Sequence, residues 1–91
     1  MSVIVRLPSQ LRTLVGGAGE VPVEASTVPE AILAVDEAYP GIAVRVLDDK
    51  GALRRFVNVF VADEDVRFLQ GLDTELVAGT TVSLVPAVAG G

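Results

Sequence analysis

The alternation of apolar and polar residues predicts two strands near the start of the chain. Residues 2–7 are rich in β-branched side chains and stop at Pro8, which is typical of a strand. Residues 20–25 alternate between polar and apolar side chains and predict a second strand. Because Pro22 has no N–H to donate to a neighbouring strand, we expect this second strand at an edge of the sheet.

A helical repeat follows, and it begins with a capping signal. Thr27 and Glu30 have the spacing of a capping box, with Thr27 at the N-cap and Glu30 at the third helical position. Asp36 and Glu37 are expected on the solvent side. A Pro-Gly pair ends the pattern, so the predicted helix covers residues 28–39. Its apolar stripe consists of Val28, Ile32, Val35 and Tyr39.

Residues 55–61 show the clearest strand pattern in the chain. They read Arg-Phe-Val-Asn-Val-Phe-Val, and alternate side chains of a strand point to opposite faces. The set predicted to face the helix is Val57, Val59 and Val61. The set on the other face, which the helix leaves uncovered, includes Phe56, Asn58 and Phe60.

The remaining segments complete an α+β pattern. Residues 62–65 predict a turn into a short strand at 66–69, and residues 80–85 predict the final strand. Residues 41–47 predict a helical turn. The glycine cluster at 16–19 lacks the spacing of a phosphate-binding loop, so it predicts a hairpin turn. One helix on one face of a mixed sheet is the expected architecture.

Composition excludes most kinds of catalytic site. The 91 residues include no cysteine and no histidine, which removes thiol nucleophiles, disulfides, Cys/His zinc sites and Ser-His dyads. The carboxylates are scattered or form a charged loop, and none has the spacing of a metal-binding loop. We therefore expect no metal and no intrinsic cofactor, and we do not expect the chain to be an enzyme by itself.

Charge and hydropathy limit the partners. The net charge is −5, from 12 acidic and 7 basic residues, which argues against nucleic acid because phosphate binding needs a basic face. An acidic balance suits docking on a basic protein surface, and it also serves solubility alone. No apolar run has transmembrane length and the start is unlike a signal peptide, so we expect no membrane partner and a cytoplasmic location.

The last five residues, Ala-Val-Ala-Gly-Gly, predict a tail at 87–91 that follows a folded domain at 1–86. Gly90 and Gly91 lack a Cβ and can pass through a narrow channel. Five extended residues reach about 17 Å. Two interpretations fit this pattern: the tail delivers a carboxylate to the active site of another protein, or it is a frayed end.

Two segments together resemble the MoaD/ThiS family of sulfur carriers. The segment at 55–68 looks like the central signature of that family, and the ending Val-Pro-Ala-Val-Ala-Gly-Gly at 85–91 matches its tail. The similarity is greatest to the CysO-type branch, the carriers of actinobacterial cysteine synthesis. Ala62 departs from the pattern, since relatives often carry Asn there. The resemblance implies a ubiquitin-like β-grasp fold.

The resemblance also implies a chemistry for the tail. An E1-like adenylating enzyme of the MoeB/ThiF type would use ATP to activate the carboxylate of Gly91. A sulfur donor would then convert it to a thiocarboxylate, which a downstream sulfur-accepting synthase would use in cysteine or other thio-metabolite biosynthesis. Val88, Ala89 and Gly90 would lie in the partner's channel.

We predict that partners also contact the body of the domain. The candidate interface consists of Phe60, Asn58 and Val85, on the sheet face that the helix leaves uncovered. The alternative is that Phe56 or Phe60 is buried beneath the segment at 67–68.

Three other functions remain open. The chain could be the small subunit of a molybdopterin-synthase-like complex, which uses the same terminus. It could be a ubiquitin-like protein modifier, although Lys50 is the only lysine available for chains built on itself. It could also be an interaction module with an inert tail.

Overall fold

Five strands form one mixed sheet within residues 2–54, 57–66 and 69–86, the part of the chain that the computed structural model describes. In chain order they are β1 (Ser2–Arg6), β2 (Glu20–Glu24), β3 (Val57–Val61), β4 (Glu64–Asp65) and β5 (Thr81–Pro86). Across the sheet the order is β2-β1-β5-β3-β4. The central pair, β1 and β5, runs parallel, and the other neighbouring pairs run antiparallel.

The edge position predicted for the second strand is confirmed. β2 pairs with β1 on one side, and Pro22 lies opposite Ile4 in that pair. The missing N–H of Pro22 therefore leaves the rest of the sheet intact, because an edge strand needs to pair on one side only.

The short strand after β3 lies earlier than the sequence predicted. We expected a turn at 62–65 and a strand at 66–69, but β4 is Glu64–Asp65, with Val61 opposite Glu64. Ala62 and Asp63 both have positive φ, 51° and 71°, as the central residues of a tight hairpin turn require. Strand pairing resumes immediately after such a turn. Val66, the residue after β4, is in the core with 1% of its surface exposed.

Three α-helical segments lie between the strands in the described ranges. They are α1 (Ser9–Arg12), α2 (Val28–Ala38) and α3 (Ile42–Val46), and 3-10 turns cover Thr13–Val15 and Gly71–Asp73. α2 confirms the predicted helix to within one residue, and α3 confirms the helical turn predicted at 41–47. The glycine cluster does form a turn, but it follows the 3-10 turn instead of joining two strands directly, and Gly16 and Gly17 adopt φ of 68° and 88°.

The start of α2 uses only part of the predicted capping box. Thr27 is the N-cap, but its side chain makes no capping hydrogen bond. Instead Oε1 of Glu30 accepts hydrogen bonds from the N–H of Ser26 at 2.9 Å and from its Oγ at 2.8 Å. These bonds to Ser26 stabilise the charged carboxylate and lower the pKa of Glu30.

Asp36 is not the solvent-facing residue that its place in the helical repeat predicted. It is half-buried, and its Oδ1 accepts hydrogen bonds from the N–H groups of Gly41 and Ala43, both at 3.0 Å. The carboxylate thus satisfies donors at the start of α3 and holds α2 and α3 together. Glu37 is exposed, as predicted.

The core lies between the helices and one face of the sheet. The predicted stripe of α2 is buried at Val28, Ile32 and Val35, and Tyr39 is half-buried at the rim. In the strands, inward-facing residues enter the core with less than 10% exposure, and they are Val3, Val5, Val21, Val59, Val61, Val82 and Leu84. The predicted phase of β3 is confirmed, except that Val57 is half-buried. The opposite face of the sheet carries no helix among the described residues.

Candidate partner-docking site

The predicted tail residues Val88, Ala89, Gly90 and Gly91 lie outside the described residues. Phe56 and the segment at 67–68 lie outside them as well. The structure does describe Pro86, the last residue of β5, which we call the root of the predicted tail. Pro86 lies opposite Val57 of β3.

β5 brings this root to the middle of the sheet. The strand pairs with β1 on one side and β3 on the other. Val82 and Leu84 are buried at 0% and 2% exposure, which sets the phase of the strand. Val85 therefore points to the uncovered face, where it is 39% exposed next to the root.

The three predicted interface residues lie together on this face. Asn58 is directly opposite Val85, and Phe60 is opposite Ser83. Asn58 and Phe60 are two residues apart on one strand, a separation of about 7 Å. Both are half-buried, so the ring of Phe60 is less exposed than its position on an open sheet face suggested. Their role in docking stays a prediction.

An acidic hairpin extends this face beyond Phe60. A shallow concavity of about 390 Å³ is lined by Phe60 and by Asp63, Glu64 and Asp65 of the β3–β4 hairpin. An apolar ring beside several carboxylates suits a partner surface that carries both apolar and basic side chains.

A second apolar surface lies on the helical side of the domain. Leu33 of α2 is 54% exposed and Val44 of α3 is 65% exposed. Both line an open groove of about 450 Å³ between the two helices. Sequence reasoning missed this groove, because it depends on the angle at which α3 returns along α2. It provides an apolar surface on the helical side for control substitutions.

Within the described ranges, no group of three or more Asp or Glu side chains is arranged to hold a metal ion. No helix in the same ranges combines the length and the apolar character needed to cross a membrane. The features that the structure does bring together are an uncovered sheet face, an acidic hairpin and the root of the tail. That this surface binds a partner protein stays a prediction.

Comparison with known proteins identifies the family. Residues 5–91 match the ThiS family. The sulfur carrier protein CysO of Mycobacterium tuberculosis is 43% identical over 93 residues that span both chains completely. A chain in the crystal structure of the Amycolatopsis orientalis BexX/CysO complex superposes with a TM-score of 0.90 at 45% identity, over 98% of this chain and 99% of that one. The crystal structure of SAMP1 from Haloferax volcanii gives a TM-score of 0.82 at 30% identity over the whole of both chains. The resemblance seen in the sequence is thereby confirmed: the chain belongs to the ThiS family and has its ubiquitin-like β-grasp fold.

Proposed function

We propose that this protein is a sulfur carrier whose reactive group is the carboxylate of Gly91. The observation that carries the proposal is the family match, which runs through residue 91 and so includes the Gly-Gly ending. The full-length similarity to proteins named sulfur carrier protein CysO supports it. On this proposal the chain is a co-substrate, and its partners supply the catalysis.

Activation of the tail requires ATP bound to an E1-like adenylating enzyme. A carboxylate oxygen of Gly91 attacks the α-phosphorus of ATP, a P–O bond forms and pyrophosphate leaves. Sulfide from the donor then attacks the acyl carbon, a C–S bond forms and AMP leaves. The product is a terminal thiocarboxylate, a nucleophile whose sulfur passes to a downstream synthase.

The absence of cysteine suits this chemistry. A thiol on the carrier would compete with the sulfur donor for the acyl adenylate, or would trap the delivered sulfur in a disulfide. The two terminal glycines suit it as well, because side chains there would obstruct a narrow channel that leads to the bound ATP.

The sheet face next to the tail root would hold the body of the carrier against these partners. Val85 and Asn58 lie beside the root, and the acidic hairpin lies beyond Phe60. The related CysO chain that was crystallised together with BexX supports the view that this fold docks onto another protein. We propose that cysteine or another thio-metabolite is the product of the downstream step, within a cytoplasmic pathway.

Protein modification is the second candidate. SAMP1 of Haloferax volcanii has the same fold at 30% identity, and the name of its Methanosarcina acetivorans counterpart is small archaeal modifier protein 1. In that role the acyl adenylate would react with a lysine amine, so that an amide bond forms and AMP leaves. A small subunit of a molybdopterin-synthase-like complex would use the same thiocarboxylate on a tightly bound large subunit.

Intact-mass spectrometry tests the proposal. Incubation with an E1-like adenylating enzyme, ATP and sulfide should raise the mass by the difference between sulfur and oxygen. Reactions without ATP should show no change. An unchanged mass with several MoeB/ThiF-type enzymes would refute the carrier function, and a covalent adduct with another protein would favour the modifier function.

Deletion of Gly91 provides the matched control. The shortened chain should not be converted by the enzyme, because its new terminus no longer reaches the bound ATP. Its melting temperature should equal that of the full chain, since a terminal residue contributes little to stability.

A further inference from the structure

A small apolar cleft lies beside the root of the tail. Its volume is about 110 Å³. The side chains that matter here come from four separate segments, and they are Pro8, Leu11, Arg45, Val57, Leu84 and Val85. Val85 also belongs to the uncovered sheet face, so the cleft continues that face around the end of β5.

The topology of the sheet explains why α1 forms one wall. β1 and β5 run parallel, so the segment that follows β1 lies at the same end of the sheet as the end of β5. The N–H of Leu11 donates to the carbonyl of Pro8 at 2.9 Å, and Nε of Arg12 donates to the carbonyl of Leu7 at 3.0 Å. These bonds hold α1 in place, with Leu11 half-buried against the core.

One cation stands at this apolar cleft. Arg45 of α3 is exposed, and its guanidinium has no hydrogen-bond or ion-pair partner in the part of the chain that the structure describes. By contrast, Arg6 pairs with Glu20 at 3.2 Å, and Arg54 donates to the carbonyl of Val44. A guanidinium with its donors unused is suited to a carboxylate.

The size of the cleft limits the occupant to a single side chain. A dry apolar cavity of about 150 Å³ is large enough for a benzene ring. This cleft is smaller, at about 110 Å³. At this size the cleft has room for one apolar side chain of a partner.

We propose that the cleft is a docking site for the E1-like adenylating enzyme that receives the tail. It takes one apolar side chain of the enzyme, and Arg45 binds a carboxylate of the enzyme next to that side chain. This inference rests on the proposed function. An enzyme that holds residues 87–91 must approach Pro86, and the cleft is continuous with that point through Val85.

Charge reversal at Arg45 tests the proposal. Arg45→Glu should weaken binding of the adenylating enzyme in titration calorimetry by about tenfold or more, because it puts like charges together. Lys50→Glu makes the same change in charge at an exposed turn that does not line the cleft, and it should alter the dissociation constant by less than about twofold. Arg45→Gln, which removes only the charge, should fall between Arg45→Glu and the wild type. Equal binding by Arg45→Glu and the wild type would overturn the proposal.

A chain that lacks residues 87–91 separates this site from the tail. The effect of Arg45→Glu should persist in that shortened chain, because the cleft belongs to the body. At saturating enzyme, Arg45→Glu should still be converted to the thiocarboxylate. If the carrier function itself were wrong, the wild type would not be converted either, so the two failures are distinguishable.

Two other occupants would contradict the proposal. If sedimentation shows a dimer of the free chain that Arg45→Glu dissociates, a second copy covers the cleft. If deletion of residues 87–91 shifts the NMR signals of both Leu11 and Arg45 in the free chain, its own tail occupies the cleft. The proposal expects neither result.

Discussion

Asn58 and Val85 lie directly opposite each other across the antiparallel β3–β5 pair, on the sheet face that the helices leave uncovered. Their neighbours in the same pair, Val59 and Leu84, are buried at 0% and 2% exposure. A shift of one residue in either strand would exchange these two sets. The position of the candidate docking face therefore depends on the packing of the core behind it.

The core pattern of β3 predicts a difference between two valines. Val59→Ala should lower the free energy of unfolding by about 1–3 kcal/mol, from lost burial and the cavity left behind. Val57 is half-buried near the cleft, so Val57→Ala should cost less, about 1 kcal/mol or below. Urea unfolding of both variants measures the two values. A larger loss for Val57→Ala would mean that the core is centred elsewhere.

Phe60 should contribute to partner binding. Phe60→Ala should weaken association with the adenylating enzyme by about 1–2 kcal/mol, as truncation of an interface aromatic often does. Leu33→Ala is the matched control, since it removes an apolar side chain from the groove on the helical side. Titration calorimetry should show normal binding for this control.

Melting curves are needed beside the binding data, because Phe60 is half-buried and also packs within the domain. If Phe60→Ala binds normally but loses much stability, the ring serves the fold and docking lies elsewhere. If Leu33→Ala weakens binding instead, the enzyme uses the helical side.

The hydrogen bonds of Glu30 predict a pH-dependent stability. Because Ser26 donates to the carboxylate in the folded state, the pKa of Glu30 lies below its ordinary value of 4.5. The stability that these hydrogen bonds contribute to the fold is therefore complete above that value. It is lost as the pH falls through the lowered pKa. Glu30→Gln should reduce the urea midpoint at neutral pH, and its difference from the wild type should shrink on acidification.

Glu37→Gln on the exposed side of α2 is the control for this effect. The urea midpoint of Glu37→Gln should differ little from that of the wild type at neutral pH. A Glu30→Gln difference that stays constant from neutral pH to strongly acidic pH would show that the bonds to Ser26 do not depend on charge.

The hairpin between β3 and β4 predicts a stabilising substitution. Ala62 has a φ of 51°, a left-handed conformation that Asn adopts more readily than Ala. Ala62→Asn should raise stability by about 0.5–1 kcal/mol, part of the 1–2 kcal/mol that this conformation costs an ordinary residue. Ala78→Asn, at an exposed turn position with ordinary φ, should have little effect. Equal changes in melting temperature for the two variants would contradict the explanation by backbone strain.

Much of the fold could be predicted from local patterns. Alternation identified β1, β2, β3 and β5, and the phase of β3 followed from its valines, because a strand next to a core needs an apolar residue at every second position. Pro22 predicted the edge strand for an equally local reason, its missing N–H. The resemblance to sulfur carriers came from residues 55–68 and 85–91. Each of these is a continuous stretch of the sequence, so the resemblance is also local.

Other features were decided by the tertiary structure alone. Asp36 turns inward because α3 brings the N–H groups of Gly41 and Ala43 within its reach. β4 begins at Glu64 because Ala62 accepts a left-handed conformation, against its intrinsic preference.

The cleft beside the tail root shows most clearly the difference between what the sequence determines and what the tertiary structure decides. The sequence by itself determined β1, β2, β3, β5, α2 and the family, since each depends on residues that are neighbours in the chain. Leu11, Arg45 and Val85 are far apart in the chain, and no spacing rule connects them. They meet only because β1 and β5 pair in parallel and α3 packs at the same end of the sheet. Contacts between distant segments depend on how whole elements pack, which local propensity does not encode.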